Sequence, residues 1–258
     1  MVCKASALSA QIPSATRPPI ILAADASQLP SIDVSANEKS HYGKEQVDCY
    51  RNAALQNDAK AAYNLGVCYR KGEGVNIDDK FAFQWFKRAA DLGLLEAQLA
   101  AGICYYMGSG TPQNYPEALK LLQPLAEQGN KHAQYFLGDY HYYERENYPQ
   151  AAKWYAAAAE QKHVAALNNL GLCYENGHGV QQSDLKALQC FQQASAQFLP
   201  IALINQGRCY LEGRGTDANP DLASSLLQQA EMFGGEEAKY TILVSASAAG
   251  SHSASPAS

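Results

Sequence analysis

Cysteine and histidine are the side chains through which this chain of 258 residues could hold a metal or run thiol chemistry, and it carries seven of one and six of the other. The cysteines are Cys3, Cys49, Cys68, Cys104, Cys173, Cys190 and Cys209, an odd number with no CxxC pair, so the spacing of a zinc knuckle or a redox dithiol is missing. His132, Asp139 and His141 come nearest to a metal cluster. On a helix His132 and Asp139 lie about two turns apart while His141 falls on another face, and no pair has the i, i+4 spacing of a helical zinc site. GxSxG, HExxH, P-loop and GxGxxG signatures are absent as well. No nucleophile can be placed beside a base, so the residues predict no catalytic group, no metal and no cofactor.

Composition narrows the remaining functions. A net charge of -5 provides no basic footprint for nucleic acid. The longest early apolar run, Ile20 to Ala24, is far short of the ~20 residues that span a bilayer. The first 24 residues hold no acid and two basic residues, Lys4 and Arg17, which leaves a targeting segment open; Pro13, Pro18 and Pro19 interrupt any amphipathic helix there.

The elements that position the cysteines emerge when the sequence is compared with itself. Gly66, Gly102, Gly138, Gly171 and Gly207 follow one another at spacings of 36, 36, 33 and 36 residues. Five residues before each stands Ala61, Ala97, Ala133, Ala166 or Ala202; three after stands Tyr69, Tyr105, His141, Tyr174 or Tyr210. Four of the units then turn through paired glycines, such as Gly72 with Gly74, and continue into a second periodic stretch such as AFQWFKRAADLG. Each unit reads as two antiparallel helices, with alanine, leucine, cysteine and tyrosine on the packing face of the first. The key glycine at the edge of that face lets another helix approach closely, against the ~1 kcal/mol it costs inside a helix.

NLGVCYRKGEGV at 64–75, followed by AFQWFKRAADLG, resembles the Sel1-like repeat, a relative of the tetratricopeptide repeat; NLGLCYENGHGV at 169–180 is a second copy. The resemblance implies an all-α, right-handed α-solenoid of antiparallel helix pairs with about five full units and partial caps. The expected domains are a tail over 1–40, the solenoid over 41–244 and a Ser/Ala-rich tail over 245–258. The third unit departs: three residues shorter and without G-x-G, it is nearer to a tetratricopeptide unit. Residues 44–56 read as the second helix of an incomplete first unit, and Leu243 in place of the key glycine reads as a cap. Pro124 is expected to kink or shorten its helix.

Cys68, Cys104, Cys173 and Cys209 sit two residues after the key glycine, so stacked units hold them ~10 Å apart, beyond the ~7 Å limit for a disulfide. Free packing thiols and a reducing compartment follow, with organelle targeting or secretion left open. The resemblance also covers secreted, disulfide-linked proteins associated with β-lactamase-like or penicillin-binding activity. Their cysteine pairing is absent here, which leaves that reading as the alternative.

The face opposite the packing face is expected to bind a protein or peptide partner through Tyr63, Val67, Arg70, Leu99, Ile103, Tyr106, Tyr135, Asp139, Tyr142, Leu172 and Arg208. Tyrosine suits such a surface because it offers apolar area with a polar end. Leu99, Ile103, Tyr106, Tyr135 and Tyr142 would form its contiguous apolar patch, with Arg70, Glu175 and Arg208 supplying charge. The competing expectation is that neighbouring first helices bury part of this stripe against one another; self-association is a third. Lys60 and Asn64 begin a carboxylate clamp, but the next unit offers Leu99 and Ala100 in their place. The resemblance implies a non-enzymatic scaffold or adaptor.

Overall fold

The structure is a computed structural model and describes residues 43–234. The expected tails, the cap at Leu243, and Cys3 lie outside the described residues.

Eleven α-helices and no strand occur among the described residues: α1 (Lys44–Leu55), α2 (Ala59–Lys71), α3 (Asp79–Asp91), α4 (Leu95–Met107), α5 (Tyr115–Glu127), α6 (Lys131–Asp139), α7 (Tyr148–Glu160), α8 (Val164–Asn176), α9 (Asp184–Ser195), α10 (Pro200–Glu212) and α11 (Pro220–Met232). A π-helical turn, Tyr140–Glu144, extends α6. Each helix packs on the next, so α2 with α3 through α10 with α11 form five units and α1 is the second helix of an incomplete one. The chain is an all-α solenoid, as its periodicity requires.

The second helix of every unit begins at a side chain that accepts from its own first turn: Asp78, Asn114, Asn147, Ser183 and Asn219. The backbone N–H of the same residue donates back to the first helix, to the carbonyls of Tyr69 (2.9 Å), Tyr105 (2.8 Å), His141 (2.8 Å), Tyr174 (2.9 Å) and Tyr210 (2.8 Å). This latch closes every helix pair, including the one without paired glycines.

The helix approach at the key glycines comes from the second helix of the same unit. A Cβ on Gly138 would lie 2.5 Å from the Tyr155 ring and one on Gly171 2.5 Å from that of Phe191; at Gly207 the nearest atom, on Leu227, is 3.2 Å away. The paired glycines act between units. Gly110 has φ +71, and its α-carbon rests on the Asp79 carbonyl at the start of α3, where any side chain would collide. Gly179 and Gly215 meet Tyr148 and Asp184 in the same register.

All six described cysteines are free; Cys49 is exposed and the other five are buried. Burial pushes the thiols of Cys68, Cys190 and Cys209 up to about 11 and that of Cys173 to about 12. The expectation for Pro124 needs correction in one respect. Helix α5 keeps 13 residues with Pro124 inside it, the length of its counterparts α3 and α7. The proline sits in the last turn, and its own carbonyl still accepts from Gln128 at 3.1 Å.

Candidate functional site

The stripe expected to form an open groove is largely a seam between helices. Tyr63, Val67, Leu99, Tyr106, Tyr135 and Asp139 are buried; Tyr63 is 0% exposed and Tyr135 1%. Adjoining elements cover them. The Tyr106 ring of α4 meets Phe136 of α6 edge-on at 5.2 Å, and Tyr135 stacks on His163, ahead of α8, at 4.8 Å. Desolvation accordingly raises the Tyr63 hydroxyl to about 12 and Tyr135 well above its ordinary value. These six residues are inaccessible to a partner, and of the expected apolar patch only Ile103 and Tyr142 keep partial exposure, as do Arg70, Leu172 and Arg208 elsewhere on the stripe. Packing of neighbouring first helices took the area that a wheel drawn for one helix leaves open.

Asp139 is the largest correction. Its carboxylate, 1% exposed, accepts from the Tyr155 hydroxyl at 2.7 Å and the Asn169 amide at 3.1 Å. The chain of bonds continues through Asn168, which donates to Asn169 at 3.4 Å, and Asn205, which donates to Asn168 at 2.9 Å. Three consecutive units are thereby joined through a buried polar network that sequence reasoning missed. A signal existed: Asn64, Asn169 and Asn205 each stand two residues before the key glycine, and all three are buried. A buried carboxylate is tolerable because its acceptor sites are met by donors.

The charges expected at the rim are also engaged internally. Arg208 Nη2 reaches both Glu175 oxygens, at 3.1 and 2.9 Å, while Arg214 bonds Glu175 and, at 2.7 Å, Glu212. The Glu175 side chain is only 10% exposed. Arg70 lies over the Phe86 ring at 4.9 Å and donates to Cys104 Sγ at 2.8 Å.

What remains half-exposed and chemically distinctive lies around the π-helical turn. Tyr140, His141, Tyr142 and Tyr143 come from the turn itself, Tyr115 and Tyr148 from the starts of α5 and α7, and His178 from the glycine-paired loop of the next unit. Tyr142 OH and His178 Nδ1 are 2.8 Å apart, and Tyr148 stacks on the same imidazole at 4.3 Å. Tyr115 donates to Glu144 Oε1 at 2.7 Å and packs against Tyr140 at 5.6 Å. Burial lifts the Tyr142 hydroxyl to about 12, so it acts as a hydrogen-bonding group at neutral pH. Single-turn π-helices are frequent at functional sites.

Among the described residues the histidines are not assembled into a metal centre. Among the described residues no group of three His, Cys, Asp or Glu side chains could hold an ion. His132 and His163 do meet, edge-on at 5.0 Å, but His163 Nδ1 is taken by the Ala166 N–H at 3.2 Å as a helix cap. Desolvation first, then His132, lowers His163 to about 3. No described helix is long and apolar enough to cross a membrane.

A succession of helix pairs latched through glycine-paired loops defines a repeat solenoid, and comparison with known proteins places it. The Sel1 repeat model matches residues 59–94, 95–130, 131–163, 164–197 and 200–232, the five units of the structure. The chain belongs to the Sel1 repeat family, whose members are generally protein-interaction scaffolds. Among curated relatives, DAP3-binding cell death enhancer 1 of Rattus norvegicus is 32% identical over 45% of this chain and 30% of its own length. Chitin synthase regulatory factor 4 of Schizosaccharomyces pombe is 30% identical over 48% of this chain and 20% of its own. The chain thus spans less than a third of either relative. The crystal structure of a Sel1 repeat protein from Oxalobacter formigenes matches with a TM-score of 0.67 at 27% identity, over 76% of this chain and 79% of that one.

Proposed function

We propose that this protein is a non-enzymatic scaffold that captures a protein or peptide partner on the aromatic surface around Tyr140–Glu144. The observation that carries the reading is the third unit's departure from its neighbours, where a π-helical turn and half-exposed tyrosines stand in place of a glycine-paired loop. Tyrosine rings offer apolar area at low entropic cost, and their hydroxyls can pair with a partner's backbone. Ile103, Leu172, Arg70 and Arg208 retain partial exposure along the seam and extend the surface beyond this centre. The relative named for binding DAP3 supports a binding role for these repeats, as the regulatory factor supports a non-catalytic one.

The test is a crosslinking pull-down from the native source with wild type beside Tyr140→Ala/Tyr143→Ala, checked for unchanged helicity. Prey retained by Lys120→Ala, on an exposed face of α5, and lost from the tyrosine variant is the expected result. Prey bound equally by all three proteins overturns the assignment.

A further inference from the structure

Ile77 and Phe81 break the repeat at exposed positions. At the place of Ile77 the second and fourth units carry Gln113 and Gln182, whose amides donate to the carbonyls of Tyr106 at 2.8 Å and Glu175 at 2.9 Å; the fifth carries Ala218. At the place of Phe81 the later units carry Glu117, Gln150, Lys186 and Leu222. The first full unit gives up the glutamine bond for an isoleucine that is 69% exposed, beside a phenylalanine that is 48% exposed. With Tyr69, on which Phe81 stacks at 5.3 Å, they line an open pocket of about 630 Å3. Glutamine at the place of Ile77 in two units, and Glu117, Gln150 and Lys186 at the place of Phe81, show that the helix pair closes without an apolar residue at either.

The pocket lies where the chain enters the array. Arg51 of α1 reaches Tyr69 OH at 3.5 Å, and Gly43, at the head of α1, is only ~12 Å of helix away from Arg51. Gly74 of this pocket holds the place that Gly110, resting on the start of α3, holds one unit later, and the repeat thereby directs it toward the start of α1. Gly43, where the described residues begin, therefore stands within reach of Ile77 and Phe81. That stretch contains one compact apolar run, Ile20–Ala24, with Arg17 just before it. The 18 residues 25–42 can span up to ~60 Å, so the run reaches the pocket without strain.

We propose that Ile20–Ala24 of this same chain docks on Ile77, Phe81 and Tyr69, with Arg17 meeting the acidic start of α3 at Asp79. Tethering supplies the affinity that so small a patch lacks, because the effective concentration of a linked segment is in the millimolar range. The N-terminal stretch is then a built-in ligand of the first unit, and a competing apolar peptide would release it.

Photo-crosslinking from p-benzoylphenylalanine placed at position 81 of the full chain, at sub-micromolar concentration, tests this. The expected product is an intramolecular link to residues 18–26, reduced by about tenfold or more when Ile20, Ile21 and Leu22 are changed to serine together. Ile77→Gln, which installs the residue that the second and fourth units already accommodate, should reduce it likewise while helicity stays unchanged. Links between two chains that grow with concentration, links to another segment, or no link at all each overturn the proposal. Because this site is separate from the tyrosine surface, none of these outcomes bears on the scaffold reading.

Discussion

The fourth unit turns through Gly177 and Gly179, both at positive φ, and Gln182 returns to the Glu175 carbonyl at 2.9 Å; the third has three residues fewer and winds Tyr140–Glu144 into a π-helical turn. Both still close the same latch, Ser183 to Tyr174 at 2.9 Å and Asn147 to His141 at 2.8 Å. What differs is how each is held. Beside the key glycine the fourth unit places Leu172, half-buried and apolar, where the third places Asp139, buried and bonded to Tyr155 and Asn169. A short loop leaves fewer backbone contacts to the neighbouring unit, and the third unit replaces them with side-chain hydrogen bonds and aromatic rings. Loop sequence in this array thus sets how one unit grips the next, while the latch alone sets the helix pair.

The largest expected effect breaks that grip directly. Asp139→Ala removes the acceptor from two buried donors and should cost ~3–5 kcal/mol in a urea melt, since uncompensated buried polar groups are expensive. Leu172→Ala, at the equivalent position, should cost ~1 kcal/mol because its side chain is only partly covered. Equal costs would mean that the third unit is not held by its carboxylate.

The key glycines give the next contrast. A methyl group on Gly138 meets the Tyr155 ring at 2.5 Å, and that ring is pinned by the hydroxyl bond to Asp139. Gly138→Ala should therefore lose ~2 kcal/mol by overpacking, even after the helical gain of alanine over glycine. Gly207→Ala, with 3.2 Å to Leu227, should stay within ~1 kcal/mol of wild type. Thermal denaturation of the two variants side by side decides it.

The junction between the third and fourth units should also be sensitive to acid. His163 caps α8 as a neutral ring with its titration lowered to about 3, whereas the unfolded chain binds that proton near the ordinary 6.5. The unfolded state thus holds more protons between these limits, so the His163 contribution is complete above pH 6.5 and declines as pH falls toward 3, by about 1 kcal/mol per pH unit. His163→Asn keeps a capping oxygen and removes the titration. It should flatten the fall of Tm between pH 6.5 and 4, and an unchanged slope would assign the acid sensitivity to other groups.

Periodicity made the helix pairs, the key glycines, the paired-glycine turns and the cysteine column legible, because each repeats at a fixed spacing and reflects packing within one unit. The open groove was not legible. Whether Tyr106 or Tyr135 faces solvent depends on how close the next unit lies, a distance that no single helix wheel contains. Asp139 was misplaced because its donors come from other helices: Tyr155 on α7 and Asn169 on α8 stand 16 and 30 residues further along the chain. The half-exposed surface at Tyr140–Glu144 left a trace only as a missing G-x-G and a shortened unit.

The smallest effect tests whether the π-helical turn is a structural prop or a surface. Glu144 is exposed, and it ties the turn back to α5 by accepting from Tyr115 at 2.7 Å. Exposed hydrogen bonds contribute little, so Glu144→Ala should cost ~0.5 kcal/mol, and faster amide exchange should stay confined to residues 140–147. Glu144→Gln retains an acceptor and should restore most of that loss. A loss as large as that of Asp139→Ala would make the turn the brace of the array, tying its tyrosines to stability; a loss near ~0.5 kcal/mol leaves them available to a partner at little cost to the fold.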